Sequence, residues 1–254
     1  MVRITKIKTM WQEYLRIREN YLKKSASQNE AYREYLRDHF LYEIYQLGGH
    51  LLPEEQFQQI LHTDRKPAHP DGLRAYDLWQ AWKYIQAQAG KHAPFTTTLV
   101  REIASKIMKH TGQETTTSIG RYDTSLGDYR LGEDYDVVYP IAEYSQIPDL
   151  LAALCRETNV QLQNNGVVPL VRTAIRYLFK FIHIKPFGAG NLETGMLSTN
   201  YLLLYHQQPL LIIYGEDRPK ALNAIKTTQL NQTPEEFENF MLQEQIKYFR
   251  EESE

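Results

Sequence analysis

Ile184-Lys185-Pro186-Phe187-Gly188-Ala189-Gly190-Asn191-Leu192-Glu193-Thr194-Gly195-Met196-Leu197 decides the fold, because it sets a tight glycine-bearing turn between two apolar-periodic segments. Upstream, Val171, Ala174, Ile175, Leu178 and Ile182 recur at helical spacing and predict a helix over 170–184 with one apolar face. Pro186 ends it. Phe187 to Asn191 holds two glycines and no β-branched residue, so its backbone can turn sharply and aim several N–H groups at one point. A second helix is expected from near Leu192 through Tyr205, with Leu197 and Leu202-Leu203-Leu204 on its apolar face.

A glycine loop that opens a helix suits an anion, since the unsatisfied N–H groups and the helix dipole both favour a phosphate. It also suits a plain connection between two core helices. The residues alone leave both readings open.

Working outward, the helical period dominates. Leu36, Phe40, Leu41 and Ile44 form one amphipathic face, Leu78, Trp79, Trp82 and Ile85 a second, and 97–109 a third through Leu99, Val100, Ile103, Ala104, Ile107 and Met108. Thr233-Pro234-Glu235-Glu236 reads as an N-cap, a proline at the first helical position and a capping-box glutamate, followed by a buried stripe of Phe237, Phe240 and Met241. Residues 62–72, with Pro67, Pro70 and Gly72, read as a loop. Residues 111–145 form the one long non-helical region, in which Asp136-Val137-Val138-Tyr139 is the extended run.

With 254 residues and 42% hydrophobic content, the chain can bury one sizeable core or two small ones. Its 29 basic and 31 acidic residues are spread along the chain with a net charge of −2, which argues against a nucleic-acid or anionic-membrane partner. No window approaches a membrane span and the N-terminus lacks a signal-type apolar run, so the cytoplasm is the expected compartment. The single cysteine, Cys155, falls on the apolar face of Ile147, Leu150, Leu151 and Leu154 and reads as a core thiol. The histidines, His62 and His69 among them, show no metal-ligand spacing and read as solvated or locally bonded, so no metal site is expected. The eighteen tyrosines are dispersed and read as amphipathic helix-surface residues.

The opening segment resembles the signature of the Fic (Fido) family, His-Pro-Phe-x-(Asp/Glu)-Gly-Asn-Gly-Arg-x-x-Arg between two helices after an apolar residue. Ile184 takes the apolar position, Lys185 that of the histidine, and Pro186-Phe187 match outright. Gly188 is the variable place, Ala189 stands for the acid, and Gly190-Asn191 match; Leu192 replaces the second glycine, Glu193 the first arginine and Met196 the second. Phe181 sits where the family has an aromatic, and Gly127-Asp128-Tyr129-Arg130 matches a Gly-x-Tyr-Arg that ends a family loop. A register using His183 as the histidine needs two inserted residues and would turn the preceding helix by about 200°, facing its apolar stripe outward.

The resemblance implies an all-α, Fic-type helical domain over 63–254 with a short β-hairpin flap, preceded by an N-terminal helical extension over 1–62. It implies AMP transfer from ATP to hydroxyl side chains of a protein, with a magnesium ion. The family histidine is the general base, which wants a pKa near the working pH, and Lys185 stands there instead. The family acid holds the metal, and Ala189 cannot ligate one. The arginines clamp the distal phosphates, where Glu193 places a negative charge that repels unless a metal intervenes or its side chain turns away.

Residues 43–49, Glu43-Ile44-Tyr45-Gln46-Leu47-Gly48-Gly49, resemble the remnant of the family's inhibitory helix. Gly48 replaces the inhibitory glutamate that pairs with the first motif arginine, and Ile44 replaces the serine or threonine. Gly48-Gly49 is equally a helix terminator with a left-handed cap.

The expectation is a degenerate Fic-domain protein that has lost or altered the family reaction. Its candidate site residues are Lys185 and Glu193 for catalysis and Phe187, Gly188, Ala189, Gly190, Asn191 and Leu192 for phosphate, with ATP and Mg²⁺ implied by the resemblance alone. A protein target would dock near residues 111–139. The alternatives are an active, divergent nucleotidyl or phosphoryl transferase, in which Lys185 neutralises a phosphate and Glu193 serves as metal ligand or base, and a non-catalytic interaction scaffold.

Overall fold

Local capping chemistry starts three of the helices. Asn29, His69 and Thr96 each place a side-chain acceptor on the N–H three residues ahead, satisfying a donor that the first helical turn would leave orphaned. The computed structural model describes residues 2–132, 140–164, 166–231 and 234–253. In chain order these form α1 (Val2–Ala26), α2 (Glu30–Leu47), α3 (Glu54–Thr63), α4 (Pro70–Gly90), α5 (Thr97–Ile107), the hairpin strands β1 (Glu114–Thr117) and β2 (Gly120–Asp123), α6 (Ile147–Gln161), α7 (Val167–Ile184), α8 (Asn191–Tyr205), α9 (Arg218–Asn231) and α10 (Glu235–Glu251). Among the described residues the fold is all-α apart from this antiparallel hairpin, with Glu114 opposite Asp123 and Thr117 opposite Gly120.

α8 is the axis of the core. Every residue from Glu193 to Leu203 on it is buried, with α7, α4, α5 and α2 packed around it. α1 lies along α10, where Tyr14 and Tyr21 meet Phe249. Trp11, Phe40, Ile44 and Phe57 of the first three helices share one apolar cluster with Phe181, Met196 and Phe249.

The apolar run Leu211 to Tyr214 is buried with no strand beside it among the described residues, and buried side chains take its backbone groups instead. Asn200 both donates to the Leu211 carbonyl at 2.9 Å and accepts its N–H at 2.7 Å. Gln245 accepts the Ile212 N–H and donates to the Leu210 carbonyl, and Glu244 accepts the Tyr214 N–H at 3.0 Å. Glu43 accepts the Gly215 N–H at 2.6 Å, fastening this segment to the end of α2.

Several expectations are corrected. The loop read over 62–72 is only 64–69: α3 runs to Thr63, and α4 starts at Pro70 because proline suits the first helical position. Leu150 is exposed rather than on the buried face with Cys155. Tyr14, Tyr21, Tyr45, Tyr177, Tyr201, Tyr214 and Tyr248 are core residues, not surface ones. The run Asp136 to Tyr139 and the cap Thr233 lie outside the described residues, and Pro234 takes the cap position of α10. The short β-hairpin that the resemblance implies is present in the 111–145 region as β1 and β2, in a threonine-rich run rather than among the apolar residues that mark an extended segment. Among the described residues no helix is long and apolar enough to cross a membrane.

Candidate functional site

The loop between α7 and α8 is built by its own residues. Lys185 ends α7 in a left-handed conformation (φ 44°), with its N–H on the Phe181 carbonyl at 3.0 Å, and is half-buried. Asn191 then closes the turn on itself: its side-chain oxygen accepts the Phe187 N–H at 3.0 Å and its side-chain nitrogen donates to the Phe187 carbonyl at 2.7 Å. Gly190 is left-handed (φ 69°), and a Cβ there would lie 3.0 Å from Met108 Sδ on the end of α5. Among the described residues, the N–H groups of Gly188 to Glu193 meet no acceptor, which leaves a row of donors at the N-terminus of α8. Tyr122 of β2 lies against Gly188, its ring and hydroxyl 2.6 and 2.8 Å from where a Cβ there would stand.

Residues 127–130 hold the loop from below. Gly127 turns in a left-handed conformation (φ 69°) against the Arg101 carbonyl, where a Cβ would collide. Arg101 donates to the Gly127 carbonyl at 2.9 Å, pairs with Asp128 at 3.2 Å and lies over the Tyr129 ring. Tyr129 bridges to Phe187 and stacks on it with ring centroids 6.0 Å apart. Burial pushes the Tyr129 phenol up, against the opposing Arg101 charge. Arg130 is buried; its guanidinium donates to the carbonyls of Lys185 at 2.8 Å, Gly132 at 3.0 Å and Ala142, while its own N–H reaches the Pro186 carbonyl at 2.9 Å.

On the far side, the Glu193 carboxylate points to the end of α2. A Cβ on Gly48 would collide with Glu193 Oε1 and stand 2.9 Å from its Cδ. His50 Nε2 lies 3.3 Å from the same oxygen. Gly48 is right-handed and Gly49 left-handed (φ 86°), so the pair does terminate α2 as a glycine cap.

Residues 94–203 match the family model described as "Fic/DOC family". The similarity to the Fic/DOC family lies in that segment. Its fold is that of solved Fic structures. It is similar to a Fic domain containing signaling protein from Bacteroides thetaiotaomicron, with 18% identity, TM-score 0.72, and 97% of this chain and 96% of that one covered. It is also similar to Fic-1 from C. elegans, at 13% identity and TM-score 0.74 over 96% and 71% of the two chains. A Fic family protein from Desulfovibrio desulfuricans G20 gives 17% identity and TM-score 0.71 over 96% and 73%. No curated protein matches the sequence.

The fold thus places Lys185 and Phe187 to Gly190 on one loop and Asn191, Leu192 and Glu193 in the first turn of α8, with the Glu193 carboxylate turned away to Gly48 and His50. Ala189 offers no oxygen ligand, and among the described residues no group of three or more histidine, cysteine or carboxylate side chains could hold a metal ion. The residues present do not fit the family magnesium. Met196 is fully buried in the apolar core, where an arginine would need a charged partner. His183 lies back on α7, with a ring nitrogen 2.9 Å from the Phe179 carbonyl, in a groove with Leu150 and Leu154.

Other histidines are locally bonded: His62 to buried Asp38 at 2.8 Å and His110 to buried Asp77 at 2.6 Å. Cys155 is buried and its thiol is pushed up to about 12 by burial, which removes it as a nucleophile. Sequence reasoning missed His50 and Tyr122. The one local hint for His50 was its place beside the Gly48-Gly49 terminator, because its partner Glu193 lies in the other half of the chain.

Proposed function

We propose that this Fic-domain chain binds a phosphate-bearing ligand at the Gly188–Leu192 loop and has lost the adenylyl transfer that the family resemblance implies. The observation that carries the reading is the side-chain direction of Glu193. It turns to Gly48 and His50, so the first-arginine position supplies no guanidinium to a triphosphate, while the row of N–H donors on the loop is not consumed by a carboxylate. Lys185 in place of the base, Ala189 in place of the metal ligand and buried Met196 in place of the second arginine support the same reading.

Two measurements test it. Calorimetric titration with ATP, ADP and AMP should give saturable binding, and incubation with labelled ATP, GTP, CTP and UTP, with Mg²⁺ or Mn²⁺, should leave no label on the protein or on lysate proteins. Label that disappears with Lys185→Ala would establish the divergent transferase instead. An absence of binding heat for all three nucleotides would leave the scaffold reading.

A further inference from the structure

We propose that His50 is a positioning residue that draws the Glu193 carboxylate away from the Gly188–Leu192 loop, so that the loop stays open to phosphate; this rests on the phosphate-binding reading above.

Glu193 is the third residue of α8 after its cap, Gly190, which has no side chain to offer. A carboxylate at that place is ordinarily drawn back to its own helix N-terminus, by the dipole and by the cap residue's free N–H. There it would satisfy the donors that a phosphate needs and add a like charge beside it. In this chain it does neither. Its Oε1 lies 3.3 Å from His50 Nε2, in space that exists only because residue 48 has no Cβ.

The end of α2 that presents His50 is held firmly. The Gly48 N–H reaches the Ile44 carbonyl at 3.1 Å, Arg218 donates to the Leu47 carbonyl at 2.9 Å, and the His50 ring packs on Tyr45 with centroids 4.9 Å apart. Glu43 beside it accepts the Gly215 N–H, so the segment before α9 braces the same turn. His50 therefore offers a donor on a braced turn, and the Glu193 side chain reaches across to it. The arrangement makes one residue far outside the motif decide whether the motif's donors are free.

A double-variant cycle reads this directly, using calorimetry with inorganic phosphate as the probe on wild type, His50→Ala, His50→Gln, Glu193→Gln and the His50→Ala/Glu193→Gln pair, each checked for an intact thermal transition. His50→Ala should weaken phosphate binding about fivefold or more, as a carboxylate released to within several ångströms of the anion would. Glu193→Gln in that background should restore wild-type affinity, and His50→Gln, which keeps an N–H donor, should retain most of it. Unchanged affinity in His50→Ala, or a pair as weak as His50→Ala alone, overturns the proposal while leaving phosphate binding intact. Wild-type protein that takes up no phosphate overturns both.

Discussion

The α-carbon of Gly48 and the carboxylate of Glu193 occupy adjoining space: a methyl group on the first would stand 2.9 Å from the carboxyl carbon of the second. The acid sits on the motif helix, and the absence of a side chain at Gly48 leaves the space that its carboxylate occupies.

Gly48→Ala should therefore depend on what stands at 193. The colliding atom is the end of a flexible side chain, so the expected loss is moderate, about 1–2 kcal/mol, seen as a lower thermal midpoint. With Glu193→Ala the carboxylate collision is gone, and only the His50 ring, whose Nε2 would stand 3.0 Å from the added carbon, has to give by a few tenths of an ångström; Gly48 is right-handed at φ −66°, a conformation that alanine adopts without strain. Gly48→Ala should then cost clearly less than in the wild-type background. Equal cost in both backgrounds would refute the contact.

Arg130 joins the hairpin region to the motif through three carbonyls, those of Lys185, Gly132 and Ala142. Arg130→Ala strands buried acceptors and should cost about 3 kcal/mol in urea denaturation. Arg130→Lys should recover only part, because an ammonium cannot reproduce the planar fork that reaches several carbonyls at once. Full recovery by lysine would show that charge alone matters there.

Asn191 both accepts from and donates to the Phe187 backbone. Asn191→Asp keeps the acceptor and replaces the donor with an oxygen facing the Phe187 carbonyl, so a loss of about 1–3 kcal/mol is expected. The same change sets a negative charge in the loop and should abolish phosphate binding in a calorimetric titration. Undiminished binding by a stably folded Asn191→Asp protein would move the ligand elsewhere.

Glu43 and Glu244 hold the Gly215 and Tyr214 N–H groups from buried positions, and burial pushes both carboxyls up, Glu244 to about 7 from an ordinary 4.5. A carboxyl whose folded value is raised contributes stability below its unfolded value and loses that contribution as pH rises through the folded one. The thermal midpoint should accordingly fall as pH rises from about 4.5 to about 7 through Glu244, with Glu43 acting in the same direction. Glu244→Gln should flatten the dependence, as followed by thermal melts across that range. An unchanged slope would place the titration in other groups.

Much of the frame was legible in the sequence. The helix expected over 170–184 is Val167–Ile184, the one expected from Leu192 through Tyr205 is Asn191–Tyr205, and the one expected over 97–109 is Thr97–Ile107. Long apolar stripes survive any detail of packing, so their period is read without knowing the neighbours. The hairpin was not legible in the same way: Glu114 to Thr117 and Gly120 to Asp123 alternate only between exposed and half-buried, so neither face carries the apolar alternation that marks a strand. Pro70 and Gly72 looked like loop chemistry because a proline at a helix start and a proline in a turn use the same fixed φ. The burial of the tyrosines is not legible in the sequence, because a residue with an apolar body and a polar tip fits a surface stripe and a core equally.

The sequence by itself determined the helix-loop-helix frame of 184–197 and which residues stand in place of the family's charged ones, since periodicity and turn chemistry are properties of near neighbours. Only the tertiary structure decided where those replacements point. Glu193 turns to Gly48 and His50, Arg130 reaches the Lys185 carbonyl, and Glu43 and Glu244 close on Tyr214 and Gly215, each pairing made between segments far apart in the chain. The direction of a long polar side chain is set by which donors and which empty volumes lie within its reach, and folding alone brings those together.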